Sequence, residues 1–243
     1  NSVVKISSEK GSIISENKNN TIQSDTVELM AVNTIGTNNA KINTTAKNIL
    51  IDNKSSQNSG SYVKNSTSIN NLNVSTLGTA TLVEFTGGEL AYNLDGNNHL
   101  SLTKEIGGSL SFINNSVDAN KKNLILEDLK IGQENSLSLK TLGTVESLNS
   151  EKSIQAKSIK IEANDGILDL KTQSNKIDLL SSAGAIDLSN TSENLTLKAI
   201  SNAKNGNLTI SQTGNLQVDE LDTKSNLNIS QYIPRDSNTS LTA

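Results

Sequence analysis

A triplet of apolar, polar and apolar residues recurs every nine residues in the C-terminal half of this 243-residue chain. Ile177-Asp178-Leu179 is followed by Ile186-Asp187-Leu188 and then by Leu195-Thr196-Leu197, with mostly Ser, Asn, Gly and Thr between them. Further triplets begin at Ile159, Leu168, Leu208, Leu216 and Leu227. Alternate members fall at 159, 177, 195 and 216, and the others at 168, 186, 208 and 227. The N-terminal part keeps a slower time, with Val4, Val27, Ile49 and Leu72 separated by 23, 22 and 23 residues.

In an extended strand the first and third side chains of such a triplet share one face and the second points the other way. A strand this short cannot bury its apolar face alone, and a fixed step means that equivalent strands stack. Two triplets in a period near twenty predict an all-β fold, a parallel β-solenoid. Its interior should hold Leu168, Leu170, Ile177, Leu179, Ile186, Leu188, Leu195 and Leu197. The middle residues should form outward columns: Lys160, Asp178, Thr196 and Gln217 on one side, Asp169, Asp187, Thr209 and Asn228 on the other. No stretch sustains the i, i+3, i+4, i+7 pattern of a helix, and a β-sandwich does not demand a constant step. Gly and Asn between triplets suit corners that need left-handed backbone. The lone Pro234 lies beyond the last triplet and leaves the ladders their N–H donors.

Hydrophobic residues make up 33% of the chain and aromatics 2%, against roughly 45–50% apolar residues in ordinary domains. The core must therefore be thin and repetitive. The exception is residues 79–116, where longer alternating runs are joined by Gly87-Gly88, Asp95-Gly96 and Gly107-Gly108. These read as hairpin turns, so the segment is expected to be an antiparallel, extra-helical β meander. It holds Phe85, Tyr92 and Phe112 and the only histidine, His99, which together are the candidate partner-binding surface. The resulting division is solenoid coils over 1–78, the meander over 79–116, coils over 117–231, and a linker or truncated continuation over 232–243.

Several function classes are disfavoured. Lys and Arg number 21 and Asp and Glu 25, scattered along the chain, so no basic block exists for nucleic acid or an anionic membrane. Arg235 is the only arginine, which removes most bidentate anion recognition. No cysteine is present, and no loop has the aspartate and glycine spacing of a calcium site, so neither metal nor cofactor is expected. No apolar run approaches the ~18 residues of a membrane span. Glu127-Asp128 and Asp219-Glu220 are adjacent in sequence, and as strand neighbours would point to opposite faces. Asp169 and Asp187 are the one candidate pair of stacked acids. They keep a polysaccharide lyase or hydrolase as the rival from another class, although the chain has no tryptophan. The expectation is a non-enzymatic protein.

The series ILDL, KIDLL, AIDLS and LTLKA, with GNLTISQTGNLQVDELDTKSNLNIS over 206–230, resembles the repeats of filamentous haemagglutinin-type exoproteins of two-partner secretion systems. Autotransporter passenger domains share much of the pattern. The resemblance covers 153–231 well and 1–78 more weakly, and the NPNG-type motif usual in the family's secretion domain does not occur in the chain. It implies a right-handed parallel β-helix exported through the Gram-negative outer membrane by a β-barrel transporter to the cell surface or medium. There it would serve as an adhesin shaft meeting a host-cell receptor, a glycan or another bacterial surface, or as the passive stalk of a contact-dependent toxin or autotransporter passenger.

Overall fold

A computed structural model describes residues 2–56, 59–93, 98–148 and 154–234. Among them there is no helix, and twenty strands join one continuous sheet. The strands alternate between two ladders that meet at the corners of each coil. Coil one contains β1 (Val3–Ser8) and β2 (Thr21–Gln23), coil two β3 (Thr26–Ala31) and β4 (Ile42–Thr45), and coil three β5 (Asn48–Asn53) and β6 (Ser61–Asn65). Coil four opens with β7 (Asn71–Thr76) and continues through β8 (Thr81–Phe85), β9 (Gly88–Tyr92) and β10 (His99–Leu102). Coil five contains β11 (Ser109–Asn114) and β12 (Leu124–Leu126). β13 (Lys130–Thr141), β14 (Thr144–Ser147), β15 (Ile154–Ala163) and β16 (Gly166–Gln173) make coils six and seven, and the start of β15 also pairs with the end of β16. β17 (Lys176–Ser181), β18 (Ile186–Ser201), β19 (Leu208–Thr223) and β20 (Leu227–Tyr232) complete the stack, with β18 and β19 each turning a corner from the second ladder into the first.

The first ladder is parallel throughout. Val4, Val27, Ile49, Leu72, Leu110, Leu137, Ile159, Ile177 and Leu197 stand over one another in register. From Val27 onward each is at most 1% exposed, and burying a side chain of this size stabilises by about 1.5–3 kcal/mol. The clock in the sequence is therefore a coil length, and the apolar triplets are its rungs.

Two expected details shift. Leu168 is half-buried rather than interior, because Ile167 and Leu170 face Ile186 and Leu188, so Leu168 and Asp169 together oppose the single residue Asp187. Asp169 absorbs this bulge in a left-handed conformation, φ 47°. The other seven expected core residues are each at most 1% exposed. Ile177 also stands over Leu197 rather than Leu195, because β18 runs on past the corner before it re-enters the first ladder. The first outward column is consequently Lys160, Asp178, Lys198 and Glu220; Thr196 and Gln217 lie in the neighbouring column, over Lys176. Asp187, Thr209 and Asn228 are in column as expected.

The corners hold buried polar side chains. Asn53, Thr76, Asn114, Thr141, Ser181 and Ser201 occupy one column at the end of the first ladder, each at most 3% exposed. Asn190, 1% exposed, accepts from Thr172 Oγ1 at 2.7 Å and from the Ser174 amide at 3.0 Å. Its Nδ2 donates to the Ser174 carbonyl at 3.1 Å and to Gln212 Oε1 at 2.8 Å. A buried amide is tolerated when its bonds are made, and here it closes the turn that the backbone cannot close for itself. Most of these asparagines are thus internal braces rather than left-handed corner residues; Asn93 is the one described asparagine with positive φ.

Candidate functional site

The expected antiparallel element is present, and it lies within the wall of the solenoid. β8 pairs in parallel with β6, β9 runs back antiparallel along β8, and β10 runs antiparallel to β9 and parallel to β12. The antiparallel pairing covers Thr81–Leu102, shorter than 79–116, because β11 is an ordinary rung between β7 and β13. Gly87, at φ +78°, makes the expected hairpin turn between β8 and β9. Gly107-Gly108 does not form a hairpin, since it joins strands of different ladders at a coil corner. A side chain at Gly108 would fall 1.6 Å from the Asn70 carbonyl. Asp95-Gly96 and residues 235–243, Arg235 included, lie outside the described residues.

The aromatic side chains chosen as a partner-binding surface are interior. Phe85 is 6% exposed, and Tyr92 and Phe112 are 0% exposed. The rings of Tyr92 and Phe112 meet edge to face with centroids 4.7 Å apart, a favourable aromatic geometry. The Tyr92 hydroxyl accepts from Asn114 Nδ2 at 2.7 Å and donates to the Lys121 carbonyl at 3.3 Å. Burial raises its pKa well above the usual phenol value, with the Asn114 bond opposing. The physical reason for the correction is that the two extra strands of coil four belong to the wall, so their apolar side chains and the rings beside them turn inward and join the buried core. His99 alone reaches the surface, its Nδ1 2.8 Å from Glu127 Oε1.

What the insertion offers to solvent is a groove of about 580 Å³ beside the β8–β9 turn, lined by residues that include Lys64, Ser66, Glu84, Glu89 and Thr103. Lys41 reaches Glu84 at 3.1 Å across two coils, and Lys104 Nζ donates to the Thr86 carbonyl at 3.4 Å. The groove and its surroundings thus carry both signs of charge, and the neighbouring Lys41 and Lys104 are already engaged. Nothing in the sequence marked Lys41 or Lys64, because their meeting with the turn depends on coil register. Among the described residues no group of His, Asp and Glu could hold a metal ion. Asp169 and Asp187 are near enough for Asp169 to raise the pKa of Asp187, after burial as the larger cause. Among the described residues no helix is long and apolar enough to cross a membrane. Comparison with family models, curated proteins and solved structures finds no match to this chain.

Proposed function

We propose that this chain is a length of β-helical shaft from a secreted bacterial surface adhesin, exported through an outer-membrane β-barrel transporter and non-enzymatic. One observation carries the reading: the twenty strands of the described residues belong to a single sheet, about ten coils deep. At about 4.8 Å per coil this makes a rod of roughly 43 Å whose reach grows with each added repeat. A host-cell receptor, a glycan or another bacterial surface would meet the polar outward rows and the groove at the β8–β9 turn, since the rings of Phe85, Tyr92 and Phe112 face inward. That same burial favours a second reading, a passive stalk that displays a binding module carried elsewhere.

Beads coated with the purified chain test the two. Saturable attachment to cells, competed by soluble chain, is expected of an adhesin. No attachment by a chain that keeps its β-sheet spectrum points to a stalk. Release of reducing ends or unsaturated products from polysaccharide would overturn both in favour of an enzyme.

A further inference from the structure

The two ladders do not have the same number of rungs. Between β5 and β11 the first ladder contains only β7, so coils three and five are two steps apart there. Between β6 and β12 the second ladder contains β8, β9 and β10, which makes four steps. At about 4.8 Å per step the second ladder is longer by about 10 Å across one coil. The inserted strands are fully part of the wall: Leu90, Tyr92 and Leu100 are each 0% exposed and Leu102 is 1% exposed.

An excess of this size can go into sliding one ladder along the other or into bending the shaft. Sliding would persist in every later coil, and each link from the first ladder to the second would then climb about 10 Å while turning the corner. The links are too short for that. Only Leu142 and Gly143 separate β13 from β14, and only Asn164 and Asp165 separate β15 from β16. Two intervening residues span at most about 10–11 Å between the flanking Cα atoms when fully extended.

We infer that the shaft has a built-in elbow at coil four, with the second ladder on its convex side and the first on its concave side. Coils one to three form one arm and coils five to ten the other. Tyr92 and Phe112, packed edge to face in the buried core, fill the wedge and hold the angle. Curvature in solenoids is otherwise spread thinly over many repeats; here one inserted hairpin concentrates it. The elbow is independent of what the shaft attaches to.

The chain has no cysteine, so pairs of spin labels can be placed without background. Glu28→Cys with Glu220→Cys spans eight steps of the first ladder, about 38 Å. Asn43→Cys with Ser230→Cys spans the same coils by ten steps of the second ladder, about 48 Å. Pulsed dipolar spectroscopy on the full chain should find the second distance longer by close to 10 Å, and electron microscopy should show two arms meeting at an angle. Equal distances would overturn the inference by placing β9 and β10 outside the ladder. Unequal distances in a straight particle would overturn it too, since the excess would then be sliding.

Discussion

Replacing Asn190 with alanine tests whether the buried amides brace the coils. The side chain sits in a corner between the second ladder and the next coil, with its carboxamide bonded on both sides. Alanine leaves five partners to be satisfied: the Thr172 hydroxyl, the Ser174 N–H, the Ser174 carbonyl, the Ser192 hydroxyl and Gln212 Oε1. Thr172 and Gln212 can rotate toward new partners. The two backbone groups of Ser174 cannot, and Ser174 is itself only 3% exposed. A buried polar group left without a partner costs about 1–3 kcal/mol, so Asn190→Ala should destabilise by about 2–5 kcal/mol. Asn228→Ala, at an exposed position of β20, should stay within about 0.5 kcal/mol.

Denaturant titration followed by circular dichroism gives the comparison, and hydrogen exchange gives the local readout. A solenoid can lose coils from its ends before its middle, whereas the Ser174 amide reports on this corner alone. Its exchange should accelerate in Asn190→Ala and remain slow in Asn228→Ala. An Asn190→Ala protein that melts like the parent and keeps the Ser174 amide protected would refute the bracing role.

Three further outcomes follow from the same geometry. Leu179→Ala, at 0% exposure, should cost about 2–5 kcal/mol, whereas Leu168→Ala at the half-buried bulge should cost clearly less; equal costs in denaturant melts would mean that the bulge is misplaced. Gly184→Ala should destabilise markedly, because a Cβ there would lie 1.8 Å from the Asp165 carbonyl in the coil below, and an unchanged melting temperature would count against that coil contact. Burial and then Asp169 raise the Asp187 pKa in the folded state, so ionised Asp187 disfavours folding at neutral pH, and the penalty is relieved as pH falls through the folded pKa. Asp187→Asn should therefore be slightly more stable than the parent near pH 7, with the difference vanishing in acid; a difference that grows toward low pH would reverse the assignment.

The coil period was legible because few folds besides a stack of coils demand an apolar triplet at a fixed step. Ile159, Ile177 and Leu179 could be placed inside from alternation alone. Register at corners was not legible, because a corner can absorb two residues without changing the triplets on either side, as β18 does between Ile186 and Leu197. The Leu168-Asp169-Leu170 triplet misled for a related reason. Its alternation is regular in sequence, yet Ile167 fills the interior position and the bulge turns Leu168 outward. The antiparallel insertion was visible in its glycines and longer runs, but its rings were assigned to the wrong side. Aromatic residues concentrated in an irregular segment can mean recognition or extra strands in the wall, and only the count of strands in each ladder decides between them.

That count of rungs also explains why the outward columns alternate in sign. Stacked rungs place outward side chains about 4.8 Å apart. At that distance two like charges repel by roughly 0.9 kcal/mol even with the dielectric constant of water, and an unbroken column repeats the penalty at every coil. The attraction of an exposed ion pair is too small to build a fold upon, typically about 0–1 kcal/mol, yet avoiding repulsion along a rod is a cumulative demand. In the first ladder Lys160, Asp178, Lys198 and Glu220 follow one another with alternating sign, and Lys5 stands over Glu28 at the other end. Between those charged stretches the same column holds Leu50, Asn73, Ser111 and Ser138, none of which carries charge. Two like-charged pairs depart from this order: Asp169 and Asp187 meet where the bulge breaks the even spacing of the rungs, and Glu84 stands opposite Glu89 across the inserted hairpin. The shaft's surface is therefore free in side-chain identity but constrained in the order of its charges, and a partner would read it as separate charged and neutral bands rather than as a uniform field.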